Sequence, residues 1–317
     1  MIHAPASMCF SARPKSSKQP FTGLWAAMYL GLSFHTTHID TAVHLGGGEF
    51  VLPAEIPLAG LTQRDIGAAI TLVEAHLRPY GPVTAIGALY TPDIAPIDQQ
   101  ADSLTLTLQA ALNAPAHIAT PAEALGLYEA RFGVAANSHL TCCLYLDRRL
   151  SGSICFGHRL WRGANRLVGR WGHLPLAFAV EEEQTAAPCE CGRTGCLEGF
   201  VSTTAIAADY HRATGIFLDI NAIARADRQD LVASSVLQIL DDRLGRTTAS
   251  IINMFDPEVI VFGGQLAALD RLYTNLPRKW PGYLLAQRTT TKLVKHSSTT
   301  RLLARGAACF AQAVAST

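Results

Sequence analysis

Apolar residues recur along this chain in two rhythms, short continuous runs and longer stretches at helical spacing, and the two take turns. A strand–turn–strand pattern spans Leu24 to Val43, with Met28-Tyr29-Leu30 leading into Gly31-Leu32-Ser33-Phe34-His35-Thr36-Thr37-His38. Gly46-Gly47-Gly48 follows a strand and precedes Glu49-Phe50-Val51-Leu52, another strand, so a hairpin turn is expected there. A phosphate-binding glycine loop would instead open a helix. Ile66, Ile70, Val73 and Leu77 fall at helical spacing between Leu61 and Leu77, with Thr62 as the candidate N-cap. Val83–Leu89 predicts a buried strand, Leu104–Leu112 a short amphipathic helix and Ala116–Ala119 another strand. Pro121 suits the first turn of the helix that follows.

The alternation continues to the end of the chain. Leu140–Leu146 is a largely apolar strand leading into polar Asp147-Arg148-Arg149, and Val201-Ser202-Thr203-Thr204-Ala205-Ile206 opens a helix with a hydroxyl cap. Leu231, Val232, Val236, Ile239, Leu240 and Leu244 predict one side of a long helix continuing to Ile251-Ile252. Val259-Ile260-Val261-Phe262 reads as a buried parallel-type strand ending in Gly263-Gly264-Gln265, where ligands bind in α/β sheets or where a chain simply turns tightly. Gln287 to Thr299 mixes hydroxyl and cationic residues, and Gly306-Ala307-Ala308 begins a closing helix. Strands and helices in this order predict an α/β fold, and no period of about 20–50 residues marks a solenoid.

Composition narrows the class without naming a function. The 317 residues are 49% hydrophobic and 16% charged, enough for one large or two ordinary ordered domains. The net charge of +1 provides no global field toward nucleic acid or membrane, although a local basic patch remains open. No apolar run reaches the ~20 residues of a membrane helix, so a soluble, cytoplasmic protein is expected. Residues 1–22, rich in Ser, Pro, Lys and Arg, read as a disordered tail too short and irregular for a helix-turn-helix. A DNA-binding domain is therefore not expected in this chain. Cys9, Cys142, Cys143, Cys155 and Cys309 are scattered through mostly apolar surroundings, as reduced, buried small hydrophobes would be.

The other three cysteines stand in Cys189-Glu190-Cys191-Gly192-Arg193-Thr194-Gly195-Cys196-Leu197-Glu198. Thiols this close, with glycines to free the backbone, suit a small loop folded around one structural Zn2+. The alternative is a set of buried free thiols. Tetrahedral zinc needs a fourth ligand, and His173 in Gly169-Arg170-Trp171-Gly172-His173 is the nearest upstream imidazole. A lone histidine can equally be a satisfied core residue.

Gly-x-x-Gly-His followed by Cys-x-Cys-Gly-x-x-Gly-Cys-x-Glu resembles the zinc signature of the ROK family, which holds ATP-dependent sugar kinases and sugar-responsive repressors. The resemblance implies a two-lobed hexokinase/actin-like (ribonuclease H-like) ATPase fold with a zinc knuckle and a sugar-and-nucleotide cleft. The expected lobes are residues 23–125 and 126–317, with the final helix packing back on the first lobe. It implies metal ligands His173, Cys189, Cys191 and Cys196, sugar contacts from His173 and Glu198, and a nucleotide pocket at Gly263 and Gly264. Glu198 is equally readable as a favourable charge at the start of a helix. Family members are commonly dimers, so a homodimer is expected.

Other family positions depart from the pattern. The family's Gly-x-Asp-x-Gly-Gly-Thr-Lys phosphate turn becomes Gly31-Leu32-Ser33-Phe34-His35-Thr36-Thr37-His38. Ser33 replaces the Asp, His35-Thr36 the two glycines and His38 the Lys. The general base of Asn-Asp-Ala-Asn becomes Pro121, which has no proton acceptor. Glu123 lies two residues on and points elsewhere on a helix. Asp93 takes the place of a cleft glycine, no counterpart of the sugar-contacting Asn is found between Ile94 and Asp102, and Arg170 stands for a sugar-binding Glu. Of the second phosphate turn only Gly152 remains, in Asp147–Ser153, where Arg148 and Arg149 offer either an anion contact or plain solvated charge. The expectation is therefore a catalytically impaired, sugar-binding sensor or regulatory protein. An active hexose or N-acetyl-amino-sugar kinase using ATP/Mg2+ is the alternative.

Overall fold

The computed structural model describes residues 27–316 except 47, 54, 59–65, 90–96, 185–188 and 287. The expected tail, the Thr62 cap, Cys9 and the Tyr90–Asp93 turn lie outside the described residues.

Each half of the chain builds one sheet on the same plan. In the first half, β1 (Met28–Phe34), β2 (His38–Leu45) and β3 (Glu49–Val51) form an antiparallel meander, and β4 (Glu55–Pro57) also pairs with β2. Helix α1 (Ile66–Leu77), β5 (Ala85–Leu89), α2 (Ile97–Leu112) and β6 (Ala116–Ala119) follow; β5 lies parallel to β1 and β6 parallel to β5. The sheet order is β3-β2-β1-β5-β6. Helix α3 (Pro121–Phe132) then leads into β7 (Leu140–Leu146), β8 (Leu150–Phe156) and β9 (Arg159–Leu160), a second meander. Among the described residues, five α-helices separate it from the parallel strands: α4 (Glu181–Gln184), α5 (Glu198–Val201), α6 (Thr203–Thr214), α7 (Ile220–Ala226) and α8 (Leu231–Phe255). Strand β10 (Val259–Gly263) joins β7 in parallel, and after α9 (Arg271–Lys279) β11 (Lys292–Lys295) joins β10. The order β9-β8-β7-β10-β11 repeats that of the first sheet, so the β1–β2 and β7–β8 turns occupy equivalent places.

The closing helix α10 (Leu302–Ala315) packs against the first sheet. It packs on β1, β5 and α3 through Ala304, Ala307, Ala308 and Ala311, all completely buried. The backbones approach so closely that a methyl group on Gly31 would collide with the Ala304 carbonyl, and one on Gly87 with that of Ala307. Small residues are required on both sides of this contact. The helix begins four residues before Gly306, at Leu302. Helix α3 packs mainly on β7, β8 and α10, and the expected lobe boundary at residue 125 falls inside it.

Most predicted elements are present, and further corrections concern α2, α8 and β5, which begins at Ala85 rather than Val83. Helix α2 extends upstream of Leu104 to Ile97. Along α8 the buried row is Ala233, Val236, Leu237, Leu240 and Leu244, while Leu231 and Ile239 face solvent. Leu231 is the first helical residue, beyond the packed surface, and Ile239 sits a hundred degrees of helix from Leu240. Cys142, Cys143, Cys155 and Cys309 are buried free thiols in the core, where burial holds the Cys155 thiol up at about 12. No helix among the described residues is long and apolar enough to cross a membrane.

Candidate functional site

The cysteine loop and His173 meet beside the second sheet. A short 3-10 turn, Trp171–His173, presents the imidazole, with Trp171 stacked against Gly152 of β8. Pro175 bridges to Cys196, and Leu176 N donates to the Gly195 carbonyl, so the segment after His173 is laced to the loop that carries the thiols. Gly192 (φ +81°) and Gly195 (φ +75°) take the left-handed conformation that a tight loop demands and a side chain resists. The Sγ atoms of Cys189, Cys191 and Cys196 and a ring nitrogen of His173 all lie within 4.8 Å of one another. His173 Nδ1 is 3.4 Å from Cys189 Sγ, and the Cys191 and Cys196 sulfurs are 3.5 Å apart. Tetrahedral bonds of about 2.3 Å to sulfur and about 2.0 Å to nitrogen place ligand atoms roughly 3.5–3.8 Å apart. The four groups therefore fit one metal ion, and the thiol separation is too long for a disulfide.

The thiols are not equivalent as free groups. The Arg193 backbone amide draws the Cys191 thiol below its usual range, while burial and the neighbouring sulfurs push Cys196 up to about 12. A cation among them favours the thiolate at all three.

Buried charge holds the strap between His173 and the cysteines. Arg246 of α8 donates to the Phe178 carbonyl at 2.7 Å and to both Glu183 oxygens at 2.9 Å, and Arg243 reaches Glu183 at 3.0 Å. Burial alone raises the Glu183 carboxyl, but the two guanidiniums and the Val180 amide outweigh it and hold it down at about 2. Local sequence reading missed this network, because Arg246 and Glu183 are 63 positions apart.

Glu198 begins the four-residue α5 and turns its carboxylate toward the β7–β8 turn. Oε2 accepts from Leu150 N at 2.9 Å, and Oε1 lies 3.9 Å from Arg149. Arg149 also pairs with Glu190 of the cysteine loop at 2.6 Å, an exposed ion pair between the β7–β8 turn and that loop. Gly172 packs against both Leu150 and Glu198, which brings the imidazole-bearing turn and this carboxylate together.

Across the chain, Pro121 is the first residue of α3. Thr120 caps the helix, accepting from Glu123 N at 3.2 Å, while the Glu123 carboxylate accepts from Thr120 N at 2.8 Å. Its other oxygen lies 3.3 Å from Arg162. Glu123 is thus the second half of a capping box, turned back on the helix end. Gly263 and Gly264 close β10, where Gly263 packs on Leu125 and Gly264 (φ +82°) on the Leu146 backbone. The Asp147 carboxylate caps the same turn, accepting from Gln265 N at 3.3 Å.

Comparison with known proteins bears on the family and the fold. The sequence profile of the ROK family matches residues 79–314. The N-acetylgalactosamine kinase AgaK of Shewanella sp. (strain ANA-3) is 28% identical over 207 residues, covering 64% of this chain and 67% of that protein. Among solved structures, the ROK hexokinase from Thermus thermophilus superimposes with a TM-score of 0.72 at 24% identity, over 90% of this chain and 98% of that one. A ROK family transcriptional regulator, a homolog of the E. coli MLC protein, gives the same TM-score of 0.72 at 23% identity, over 91% of this chain and 78% of that one. At such identities the structural likeness speaks for the fold: two α/β lobes of the hexokinase type. With the profile spanning most of its length, the chain belongs to the ROK family.

Proposed function

We propose that this protein is a non-catalytic, sugar-kinase-like sensor that binds a small sugar in its cleft without transferring phosphate efficiently. The observation that carries the reading is Pro121 at the family's base position, with Glu123, its nearest carboxylate in sequence, engaged by the Thr120 amide and Arg162. A missing general base by itself lowers a rate by about 10²–10⁴-fold. The phosphate side adds to this. Ser33 Oγ lies 3.2 Å from His35, side chains stand where the family has glycines, and Asp147 places a negative charge at the Gly264–Gln265 turn. These groups suit a nucleotide's phosphates poorly, so Gly263 and Gly264 serve packing in this reading.

The sugar side is better supported. Zn2+ held by His173, Cys189, Cys191 and Cys196 would fix the imidazole through Nδ1 and leave Nε2 on the opposite edge for a sugar hydroxyl. Glu198 would accept from another hydroxyl, with Arg149 beside it. A cytoplasmic homodimer is the form in which we expect it to act.

The kinase reading, ATP/Mg2+-dependent phosphorylation of a hexose or N-acetyl-amino sugar, draws on the kinase names of the protein's relatives. Calorimetry with ATP and a panel of hexoses and N-acetylhexosamines, paired with a coupled kinase assay, separates the two. Sugar binding without turnover is the expected result. Sustained phosphorylation of any bound sugar overturns the sensor, and binding of no sugar overturns both readings.

A further inference from the structure

The turn that replaces the family's phosphate loop gathers a second set of metal-ligand side chains, and strand register explains why. Ser33 of β1 pairs directly with Asp40 of β2, so their side chains leave the same face of the sheet. His38, two residues before Asp40, shares that face because side chains alternate along a strand. The neighbouring pair Phe34 and Ile39 points the other way, into the core, where Ile39 is completely buried. That apolar pair fixes which face the polar residues take. His35, in the turn itself, folds over the same spot: its ring stacks on that of His38 with centroids 4.4 Å apart.

The donors converge. His35 Nε2 lies 3.3 Å from one Asp40 oxygen and His38 Nε2 3.8 Å from the other, and all three ligand atoms are within 4.8 Å of one another. Thr37 Oγ1 is 3.0 Å from His38 Nδ1; with that nitrogen as donor, Nε2 keeps its lone pair. Arg301, just before α10, approaches Asp40 Oδ1, the oxygen that faces His38, at 3.5 Å, and leaves Oδ2 to His35. Glu55 on β4 is the direct partner of Asp40 and adds a second carboxylate to this face. Like charges opposite one another weaken a strand pair unless a cation is shared between them.

We propose that His35, His38 and Asp40 form a second metal site, for a borderline divalent ion such as Zn2+ or Co2+. Two imidazoles and one carboxylate suit such ions, whereas Mg2+ prefers an all-oxygen shell. Three protein ligands leave a coordination position for water or a ligand atom, and the side chains of His35 and His38 are 36% and 27% exposed, so the site is reachable from solvent. The site is independent of the sugar reading, since its donors come wholly from the β1–β2 hairpin.

The full chain, saturated with ZnCl2 and desalted, should carry two zinc ions by mass spectrometry, one in the cysteine loop and one here. The double variant His35→Ala/His38→Ala should carry one, and Cys189→Ser should lose the other. Titration of CoCl2 into protein holding a single zinc should give one further saturable equivalent. Thr37→Val keeps every ligand and so separates metal affinity from folding; it should weaken that second equivalent by about tenfold. A wild type that saturates at one ion, a double variant that retains two, or an unchanged affinity in Thr37→Val would each overturn the site.

Discussion

The cysteine loop at 189–196 and the β1–β2 turn at 34–38 are both short, polar and rich in metal-ligand residue types, yet they are held in place in different ways. The cysteine loop has little core of its own. Its shape depends on its ligands, on glycines with positive φ, and on a strap pinned by the buried Arg246–Glu183 pair. The β1–β2 turn caps a hairpin that is already fixed by Ile39 in the core and by α10 against Gly31. The first region should therefore fail when chemistry is removed. The second should tolerate changed chemistry as long as packing survives.

That contrast breaks down most visibly if the cysteine loop proves dispensable. Cys189→Ser, or zinc removal by a chelator, should destabilise the protein by about 4 kcal/mol or more, read as a large fall in Tm, whereas His38→Ala should cost under about 1 kcal/mol. Equal effects would erase the distinction. Next in size, Glu183→Gln leaves two guanidiniums facing a neutral group and should cost about 3 kcal/mol in urea unfolding; a neutral outcome would mean the strap is held by its backbone alone.

Acid should separate the regions further. The Glu183 carboxyl is depressed from 4.5 to about 2 in the folded protein, so its contribution is complete above pH 4.5 and is lost as pH falls toward about 2. His44, buried in the first sheet against Phe50, is depressed by that burial and by Arg131 from 6.5 to about 4. The unfolded chain takes up that proton first, so stability should begin to fall below pH 6.5 and continue falling to about 4. In pH-dependent unfolding, His44→Leu should flatten the upper limb and Glu183→Gln the lower one. The smallest expected effect is Pro121→Asp, which should change stability by under about 1 kcal/mol and leave phosphoryl transfer undetectable, because Ser33, His35 and Asp147 are unchanged. Recovery of turnover from that single substitution would place the whole deficit at one residue.

Much of this was legible along the chain because it is local. The strands Ala116–Ala119 and Leu140–Leu146 have the ends that the apolar pattern predicts, and Ser202 caps α6 as its hydroxyl predicts, since apolar patterning and capping depend on near neighbours. The face of α8 is less legible: Ile239 is as apolar as the residues that are buried, and only the partners of the helix decide which stripe they cover. Glu123 shows the same limit at the candidate site. Its distance from Pro121 argued against a role as base, but the capping box and Arg162 that engage it appear only in three dimensions.

Family, α/β alternation and metal-ligand spacing are all legible in the amino-acid string, because each is written in residues a few positions apart. Tertiary structure alone decided that the first sheet's plan is repeated in the second, that Arg246 pins Glu183, and that Ser33, His38 and Asp40 share one face under His35. Those outcomes depend on strand register and on which side of a sheet the core claims. Both are settled only when distant segments pack.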